Sequence, residues 1–209
     1  MIASEIEQAP LFDLSANWLC LDFVNTLDNR LNEDIHENLN SYDDLVAWSK
    51  QAGLVTDAAA EQLLEEARRH PEEAREILLR ARDSREVMYR IFLTLAEGGH
   101  PAEADLYALN AALTRTMVHA RIVPHDGGFV WGWQDEEREL DSLLWPVIRS
   151  AADLLTSSEL EGVRVCAAED CSWLFLDTSK NHTRRWCSMK SCGNRAKARR
   201  HYKKEKTQV

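Results

Sequence analysis

The sequence predicts an α+β fold that is mostly α: a helical N-terminal domain with one β-hairpin, then a small four-cysteine domain that ends in a basic helix. Three observations predict it. Apolar residues recur at helical spacing through most of the chain before residue 157, the stretch 119–134 alternates with period two, and four of the five cysteines lie in the last quarter. We place the two domains at 1–158 and 163–209.

The first helix is predicted at 18–27, where Leu19, Phe23 and Leu27 recur at helical spacing. An apolar stripe of this kind is typical of a helix that packs on a core. Residues 1–10 show no such pattern, and we expect the chain there to be frayed.

Polar residues interrupt this first helix and need partners if the helix is buried. Asp22 and Asn25, together with Arg30, form a candidate ligand pocket for a small-molecule effector. The alternative is a satisfied polar cluster that pins the helix to a neighbouring element. Residue chemistry alone favours that alternative.

Caps and prolines mark four further helices. Ser41 or Asp43 can cap the first, Thr56 the second, Pro71 suits the first turn of a long third helix, and Pro101 starts the fourth. The long helix carries a narrow apolar seam of six positions: Ile77, Ala81, Ser84, Met88, Ile91 and Leu95. We expect this seam to pack inside the core, with a dimer seam as the alternative.

Residues 119–134 predict a β-hairpin around the turn-forming sequence His-Asp-Gly-Gly at 125–128. Phe129, Trp131 and Trp133 share one face of this hairpin because strand side chains alternate. We expect that face to be packed, with an aromatic ligand cage as the alternative.

The helical domain ends with a last amphipathic helix, predicted at about 138–156. Pro146 should kink this helix or mark its effective start. The small polar residues and glycine of 157–162 then form a linker to the second domain.

Four cysteines dominate the second domain and form two Cys-x4-Cys pairs: Cys166, Cys171, Cys187 and Cys192. Four thiolates suit a closed tetrahedral Zn²⁺ site, and a segment this short needs a metal or disulfides to fold. Two disulfides are the alternative. The N-terminal sequence lacks the features of a secretory signal, so we expect a reducing compartment and favour the metal.

Charge is distributed unevenly along the chain. From residue 163 onward there are 12 Lys and Arg against 4 Asp and Glu, whereas the preceding 162 residues hold 13 basic and 31 acidic residues. A basic tail on an acidic body suggests a polyanionic partner for the tail. The alternative is a solvated charged helix that keeps the chain in solution.

The basic residues of the second domain are the candidate nucleic-acid contacts: Arg184, Arg185, Lys190, Arg195, Lys197, Arg199, Arg200, Lys203 and Lys204. Arg suits bidentate contact with phosphate or guanine, while Lys contributes mainly a point charge. Two structural alternatives stay open. Arg184 or Arg185 could pair with Asp177, and Arg195 could brace the metal site.

The form of the second domain follows from the order of its cysteines. The first pair forms a knuckle, a short hairpin through Trp-Leu-Phe-Leu at 173–176 follows, and the second pair opens the basic helix. A treble-clef finger and a ribbon-like finger both fit this order.

Two stretches resemble known families. Trp186-Cys187-Ser188-Met189, Cys192-Gly193-Asn194-Arg195 and the basic run after them resemble the CGNR zinc-finger family, regarded as a DNA-binding module of bacterial regulators. The stretch 19–27, with Arg30, resembles the ABATE domain that usually precedes that finger, described as a stress-induced transcription regulator domain. Together the two resemblances cover most of the chain.

The resemblance implies a zinc-dependent, DNA-binding transcriptional regulator that is stress-related, with a helical sensor or assembly domain. Composition and spacing independently support zinc and polyanion binding. An RNA-binding finger or a protein-interaction finger, with a ligand-sensing N-terminal domain, are the alternatives. Each of these functions is compatible with a homo-oligomer.

Other classes of protein are disfavoured by the sequence. No run approaches the roughly 20 apolar residues of a membrane span, so we expect a cytoplasmic protein with no membrane partner. Four cysteines close the coordination sphere that a catalytic zinc keeps open, and no His-Glu-x-x-His motif is present. We therefore expect no enzymatic activity.

Overall fold

The computed structural model describes residues 12–31, 34–134 and 139–199. The helices are α1 Leu19–Val24, α2 Tyr42–Gln51, α3 Asp57–Arg69, α4 Pro71–Ala96, α5 Glu103–Met117 and α6 Trp145–Leu155. The strands are β1 Leu27–Asp28, β2 His36–Glu37, β3 Ala120–His125, β4 Gly128–Trp133, β5 Val163–Val165 and β6 Leu174–Leu176. They form three separate antiparallel pairs, β1–β2, β3–β4 and β5–β6. The predicted fold class, mostly α with small β elements and a helical segment at 194–199 near the end, is confirmed.

The predicted caps explain where the helices begin. At the start of α2 the Ser41 hydroxyl accepts a hydrogen bond from the Asp44 amide, and the Asp44 carboxylate accepts one from the Ser41 amide. Thr56 caps α3 through the Ala59 amide in the same way. Pro71 is the first residue of α4, where its missing N–H costs nothing.

Helix α4 lies at the centre of the helical domain. The predicted seam is buried at Ile77, Ala81, Met88 and Ile91, and α4 packs against α1, α2, α3 and α5 and against both strands of the β5–β6 pair. The seam therefore packs inside the chain, as expected. Arg85 also lies inside, only 2% exposed, because both its Nη atoms bond the Glu37 carboxylate at 2.6 Å.

The β3–β4 hairpin forms as predicted. Its turn residues, Asp126 at φ 41° and Gly127 at φ 80°, both have the left-handed conformation that a tight two-residue hairpin needs. The expectation of a packed aromatic face is only partly met. Trp133 packs against Trp145, with ring centroids 5.9 Å apart, but Phe129 is 75% exposed. The prediction is wrong for Phe129 and also for Trp131, which is 43% exposed, because no described element fully covers these two side chains.

Helix α6 begins later than the predicted helix at 138–156. A 3-10 turn at Leu140–Leu144 precedes it, and Pro146 occupies its first turn. Pro146 therefore marks a start and does not produce a kink, because a proline there removes no helical hydrogen bond.

The β5–β6 pair joins the four-cysteine segment to the helical domain. Val163 pairs with Leu176 and Val165 with Leu174, and every residue of β6 is buried. The pair packs on α1 and α4, and its side chains belong to the same apolar cluster as those helices. The residues between the two predicted domains form a 3-10 turn at Ser158–Gly162. The finger therefore shares a core with the helical domain, although the domain limits themselves stay predictions.

Asn25 at the end of α1 makes the most direct polar link across this shared core. Its side-chain Oδ1 accepts from the Leu174 amide at 3.0 Å, and its Nδ2 donates to the Leu174 carbonyl at 2.8 Å. The side chain thus satisfies both backbone groups of one β6 residue, as a neighbouring strand would. Asn25 is 3% exposed, so water cannot replace these bonds.

Replacing Asn25 by Ala should therefore leave a buried N–H and a buried C=O unpaired. We expect the free energy of unfolding to fall by about 2–4 kcal/mol, since each such group costs about 1–3 kcal/mol. Urea denaturation of the full-length protein measures this. Asn110→Ala, on the exposed face of α5, is the matched control and should change stability by less than about 0.5 kcal/mol. Equal effects of the two variants would contradict the assigned role.

Candidate metal centre

Four cysteine sulfur atoms lie together at the edge of the β5–β6 pair. The Sγ atoms of Cys166, Cys171, Cys187 and Cys192 are all within 4.8 Å of one another, and all four residues are buried. Cys187 Sγ lies 3.7 Å from Cys171 Sγ and 3.6 Å from Cys192 Sγ. Zinc–sulfur bonds of about 2.3 Å in a tetrahedron place sulfurs about 3.8 Å apart. The residues therefore fit a metal ion bound by four thiolates.

Short local structures bring the two cysteine pairs together. Cys166 follows β5 directly, and its amide extends the ladder by donating to the Trp173 carbonyl at 2.9 Å. Cys171 follows a turn closed by its amide on the Ala168 carbonyl, 3.1 Å. The Cys187 amide points at Cys166 Sγ, 3.4 Å away. Contacts made by backbone amides therefore bring the two cysteine pairs together, without a bound metal.

The protonation of these sulfurs shows why the cluster needs a cation. Hydrogen bonds from Cys171 and Cys187 hold the pKa of Cys166 far below its ordinary value. The pKa values of Cys171 and Cys187 are raised, because each is hydrogen-bonded to the Cys166 sulfur and buried. Without metal, one thiolate is therefore stabilised by neighbouring thiols that keep their protons. A divalent cation allows those thiols to ionise.

Arg195, the last residue of the Cys-Gly-Asn-Arg tetrapeptide, touches the cluster directly. Its Nη2 donates to Cys192 Sγ at 3.1 Å and lies 3.7 Å from the Asp170 carboxylate. A divalent metal with four thiolates carries a net charge of −2, and a guanidinium against one sulfur offsets part of that charge. The geometry thus matches the bracing role considered for Arg195 from the sequence.

Arg184 is held by backbone carbonyls. Its Nη2 donates to Ser15 O at 2.9 Å and to Cys187 O, and its Nε donates to Trp186 O at 3.0 Å. Its guanidinium also lies over the Phe175 ring, 4.4 Å from the centroid. These contacts occupy the guanidinium N–H groups that Arg184 would need to bind a phosphate.

Asp177 does not pair with either neighbouring guanidinium. Its carboxylate accepts from the amides of Ser179 and Arg184, both at 2.9 Å, and it is only 1% exposed. Asp177 therefore closes the turn that follows β6, as an Asp side chain often does. The alternative that placed the Arg184 or Arg185 side chain on Asp177 has no counterpart in this geometry.

The remaining described candidates for nucleic-acid contact are on the surface: Arg185, Lys190, Lys197 and Arg199. Arg199 bonds the Asp170 carboxylate at 2.9 Å and lies 3.6 Å from that of Glu169. The Glu169 and Arg199 side chains are 77% and 47% exposed, so that ion pair is weak and a phosphate can displace it, whereas the Asp170 side chain is only 29% exposed. Arg200, Lys203 and Lys204 lie outside the described residues.

The three candidate ligand-pocket residues each have an internal partner. Asp22 accepts from the Ala16 amide at 2.8 Å, and burial raises its pKa to about 7. Arg30 bonds the Glu86 carboxylate at 3.1 Å and also donates to two backbone carbonyls. With Asn25 on Leu174, the three side chains serve three separate contacts.

The segment 12–17, which we call the strap, was missed from the sequence. It lies between α1 and the four-cysteine segment and bonds both. The Leu176 amide donates to Ala16 O at 2.8 Å, and Ser15 Oγ donates to the Cys187 carbonyl at 3.2 Å. These bonds join residues 160 and 172 positions apart in the chain, and no local pattern in the strap predicts them. The strap therefore ties a metal-ligand residue to the helical domain.

A second contact missed from the sequence joins the two parts near β1. The Trp173 indole N–H donates to the Asp28 carboxylate at 2.6 Å. Beside this pair lies a cleft of about 310 Å³ whose wall includes the sulfurs of the second cysteine pair. The metal site is thus bounded on one side by the helical domain.

Together these features define a class of protein: a helical domain that carries a four-cysteine metal-binding finger on its own core. Residues 17–158 match the ABATE family, described as "Putative stress-induced transcription regulator", and residues 163–205 match the CGNR zinc finger. The chain belongs to the ABATE family and carries a CGNR zinc finger, as the resemblance indicated. No curated protein matches the chain. Within the described ranges, no helix has the length and apolarity needed to cross a membrane.

The cluster predicts about one zinc per chain in protein prepared without added metal. Cys187→Ser should lose that zinc, because three thiolates leave the tetrahedral site incomplete. Cys20→Ala is the matched control, since Cys20 is a buried free cysteine outside the cluster, and it should retain full zinc. Metal analysis by mass spectrometry measures both. Full zinc in Cys187→Ser would contradict the assignment.

Metal binding should also release protons. Cys171 and Cys187 have raised pKa values in the metal-free site and keep their protons at pH 7. Two or more protons should therefore leave for each zinc bound, and zinc affinity should fall as the pH is lowered. Calorimetry in buffers of different ionisation enthalpy counts these protons. Release of fewer than one proton would show that the thiols are already ionised.

Proposed function

We propose that this protein is a zinc-dependent, DNA-binding transcriptional regulator of the cytoplasm whose finger contacts the duplex. One observation carries the proposal: exposed basic side chains at 185–199 lie in the same segment as Cys187 and Cys192, two members of a buried four-cysteine cluster. A closed site leaves the metal no position for a substrate, which suits a structural role. The family description, a stress-induced transcription regulator, supports the same class of function.

The charge distribution supports contact through this end of the chain alone. The acidic residues lie mainly before residue 163, so the helical domain repels a polyanion while the finger attracts it. We propose that the DNA meets the finger and stays away from the acidic helices. Binding of this kind depends on phosphate contacts and therefore on salt.

The contacts of each arginine suggest a division of roles. Arg184 and Arg195 are held by carbonyls and by a cysteine sulfur, so we assign them to the architecture of the finger. Lys190 and Lys197 are exposed and make no ion pair among the described residues. With Arg185 they are the proposed phosphate contacts. Arg199 would exchange its carboxylate partners for phosphate or a base edge.

DNA is favoured over single-stranded RNA by the placement of the finger's aromatic side chains. Stacking on unpaired bases needs exposed rings. Phe175 is fully buried, and the Trp173 indole N–H is committed to Asp28. Trp186 is partly buried against the core, so each of the finger's three aromatic candidates for base stacking is at least partly covered.

We propose that the helical domain supplies regulation through the shared core. A change in α1 would reach the finger through Asn25, and a change in the strap would reach Cys187 through Ser15. Because these contacts are direct, a small-molecule effector or an assembly partner that shifts the helical domain would also alter the finger. For Asp22, Asn25 and Arg30 we propose a structural role in this coupling.

Titration of the full-length protein with duplex DNA at several salt concentrations tests the proposal. The log of affinity should fall linearly with log salt, and each phosphate contact contributes about −0.9 to the slope. Arg185→Ala and Lys197→Ala should each reduce the slope by about one and weaken all sequences alike. Lys50→Ala, an exposed residue of the helical domain that pairs with Asp57, is the control and should leave the slope unchanged.

The same titration with single-stranded RNA separates the alternatives. Tighter binding to RNA than to duplex at equal salt would favour the RNA-binding finger. Affinity for nucleic acid that does not depend on salt would contradict the proposal and leave a finger that binds protein.

A further inference from the structure

Exposed apolar side chains are concentrated in one stretch of the described chain. Of twelve large apolar side chains that are exposed, eight lie between residues 106 and 131. We call these eight the apolar surface: Leu106, Tyr107, Met117, Val118, Ile122, Phe129, Val130 and Trp131. They belong to the outer side of α5, to its C-cap and to the β3–β4 hairpin that follows. Such a concentration is unusual for a surface that stays in water.

The hairpin is anchored at its base, so its exposed side chains are held in place. Trp133 packs on Trp145, and His119 stacks on the same ring with centroids 3.9 Å apart. The Arg149 guanidinium lies 4.4 Å from the centre of the Trp131 ring. An isolated two-stranded hairpin is marginally stable at best. This one stands on α6 and presents its far end to solvent.

The outer edge of β4 lacks the charges and prolines that prevent an edge strand from pairing with a strand of another chain. Its sequence, Gly-Phe-Val-Trp-Gly-Trp at 128–133, contains no charge and no proline, whereas β3 carries Arg121 and Pro124. Strand β4 pairs with β3 alone among the described strands. An uncharged, apolar edge strand is a template for pairing with another chain. Antiparallel pairing of β4 with its own copy is compatible with a two-fold axis.

The size of the apolar surface suits a dimer of standard area. Given about 150–250 Å² for a whole aromatic side chain, the exposed fractions of the eight side chains amount to roughly 800 Å². A specific protein–protein interface buries about 800 Å² on each partner. The exposed apolar area along this stretch is therefore about that of one side of a standard interface, with Ile122, Phe129 and Trp131 on one face of the hairpin and Val130 on the other.

Charge favours a second copy of this chain as the occupant. The first 162 residues carry 31 acidic against 13 basic residues, so two copies repel each other over most of their surface. Between residues 106 and 131 the only charged residues, histidines aside, are Arg115, Arg121 and Asp126. Each copy thus brings two basic side chains and one acidic side chain to this stretch, in contrast to the acidic excess of the first 162 residues as a whole.

We propose that the apolar surface binds the same surface of a second copy around a two-fold axis, so that the protein is a homodimer. Each copy would cover Val118 and Phe129, which are 73% and 75% exposed in the single chain. This interface lies in the helical domain and leaves both fingers available. It does not depend on the proposed binding of DNA.

Sedimentation equilibrium of the full-length, zinc-loaded protein without DNA tests the proposal. The wild type should have twice the 23.9 kDa mass of one chain at micromolar concentration. Val118→Glu and Phe129→Glu should each raise the dimer dissociation constant by roughly 30-fold or more, because each places an unpaired charge in the apolar interface. Leu79→Glu is the matched control, because Leu79 is 49% exposed on α4 outside the apolar surface. It should leave the constant unchanged.

Folding of the variants is checked by near-ultraviolet circular dichroism, and Phe129→Ala offers a milder change at the same position. A wild type that stays monomeric at tens of micromolar would overturn the proposal and assign the apolar surface to a different protein. A dimer that both glutamate variants leave intact would overturn it as well, because the interface would then lie elsewhere. Loss of the dimer in the two variants but not in Leu79→Glu supports it.

Discussion

One electrostatic constraint governs the C-terminal part of this protein: four cysteine sulfurs share a buried site within 4.8 Å of one another. Four thiolates at that distance repel one another, so the site keeps protons on Cys171 and Cys187 unless a cation replaces them. A divalent metal would resolve this conflict and join the segments around both cysteine pairs. Because the Cys187 carbonyl also accepts bonds from Ser15 and Arg184, a bound metal would fix the strap together with the basic segment.

The second determinant is the shared core. A segment of about 45 residues cannot bury enough apolar surface to fold alone, and here the helical domain supplies what is missing. Helices α1 and α4 cover the β5–β6 pair. The Asn25 side chain bonds both backbone groups of Leu174, as a neighbouring strand would. An ABATE domain and a CGNR finger arranged in this way are packed on one core. A shift of α1 or of the strap would therefore act on the residues around the metal site through direct contacts.

Sequence reasoning succeeded where the physical signal was local. The caps at Ser41 and Thr56, the hairpin turn and the two cysteine pairs each depend on residues within five positions of one another. It could not find the partner of Asn25, which lies 149 positions away and depends on how the helices pack. It also could not predict different roles for Arg184 and Arg185, because the sequence does not show in which direction the side chains of neighbouring residues point. The alternation at Phe129 correctly placed one face of a strand, but no pattern states whether another element covers that face.

The central claim is that the helical domain and the finger form one structural unit joined through the metal site. Hydrogen exchange of the full-length protein, with zinc bound and after chelation, tests it most directly. The account predicts that chelation accelerates exchange in 185–199 and also at the β6 amides of Leu174 and Leu176, which bond Asn25 and the strap. Faster exchange confined to 185–199, with β6 and α1 fully protected, would contradict it and describe a finger that moves independently of the helical domain.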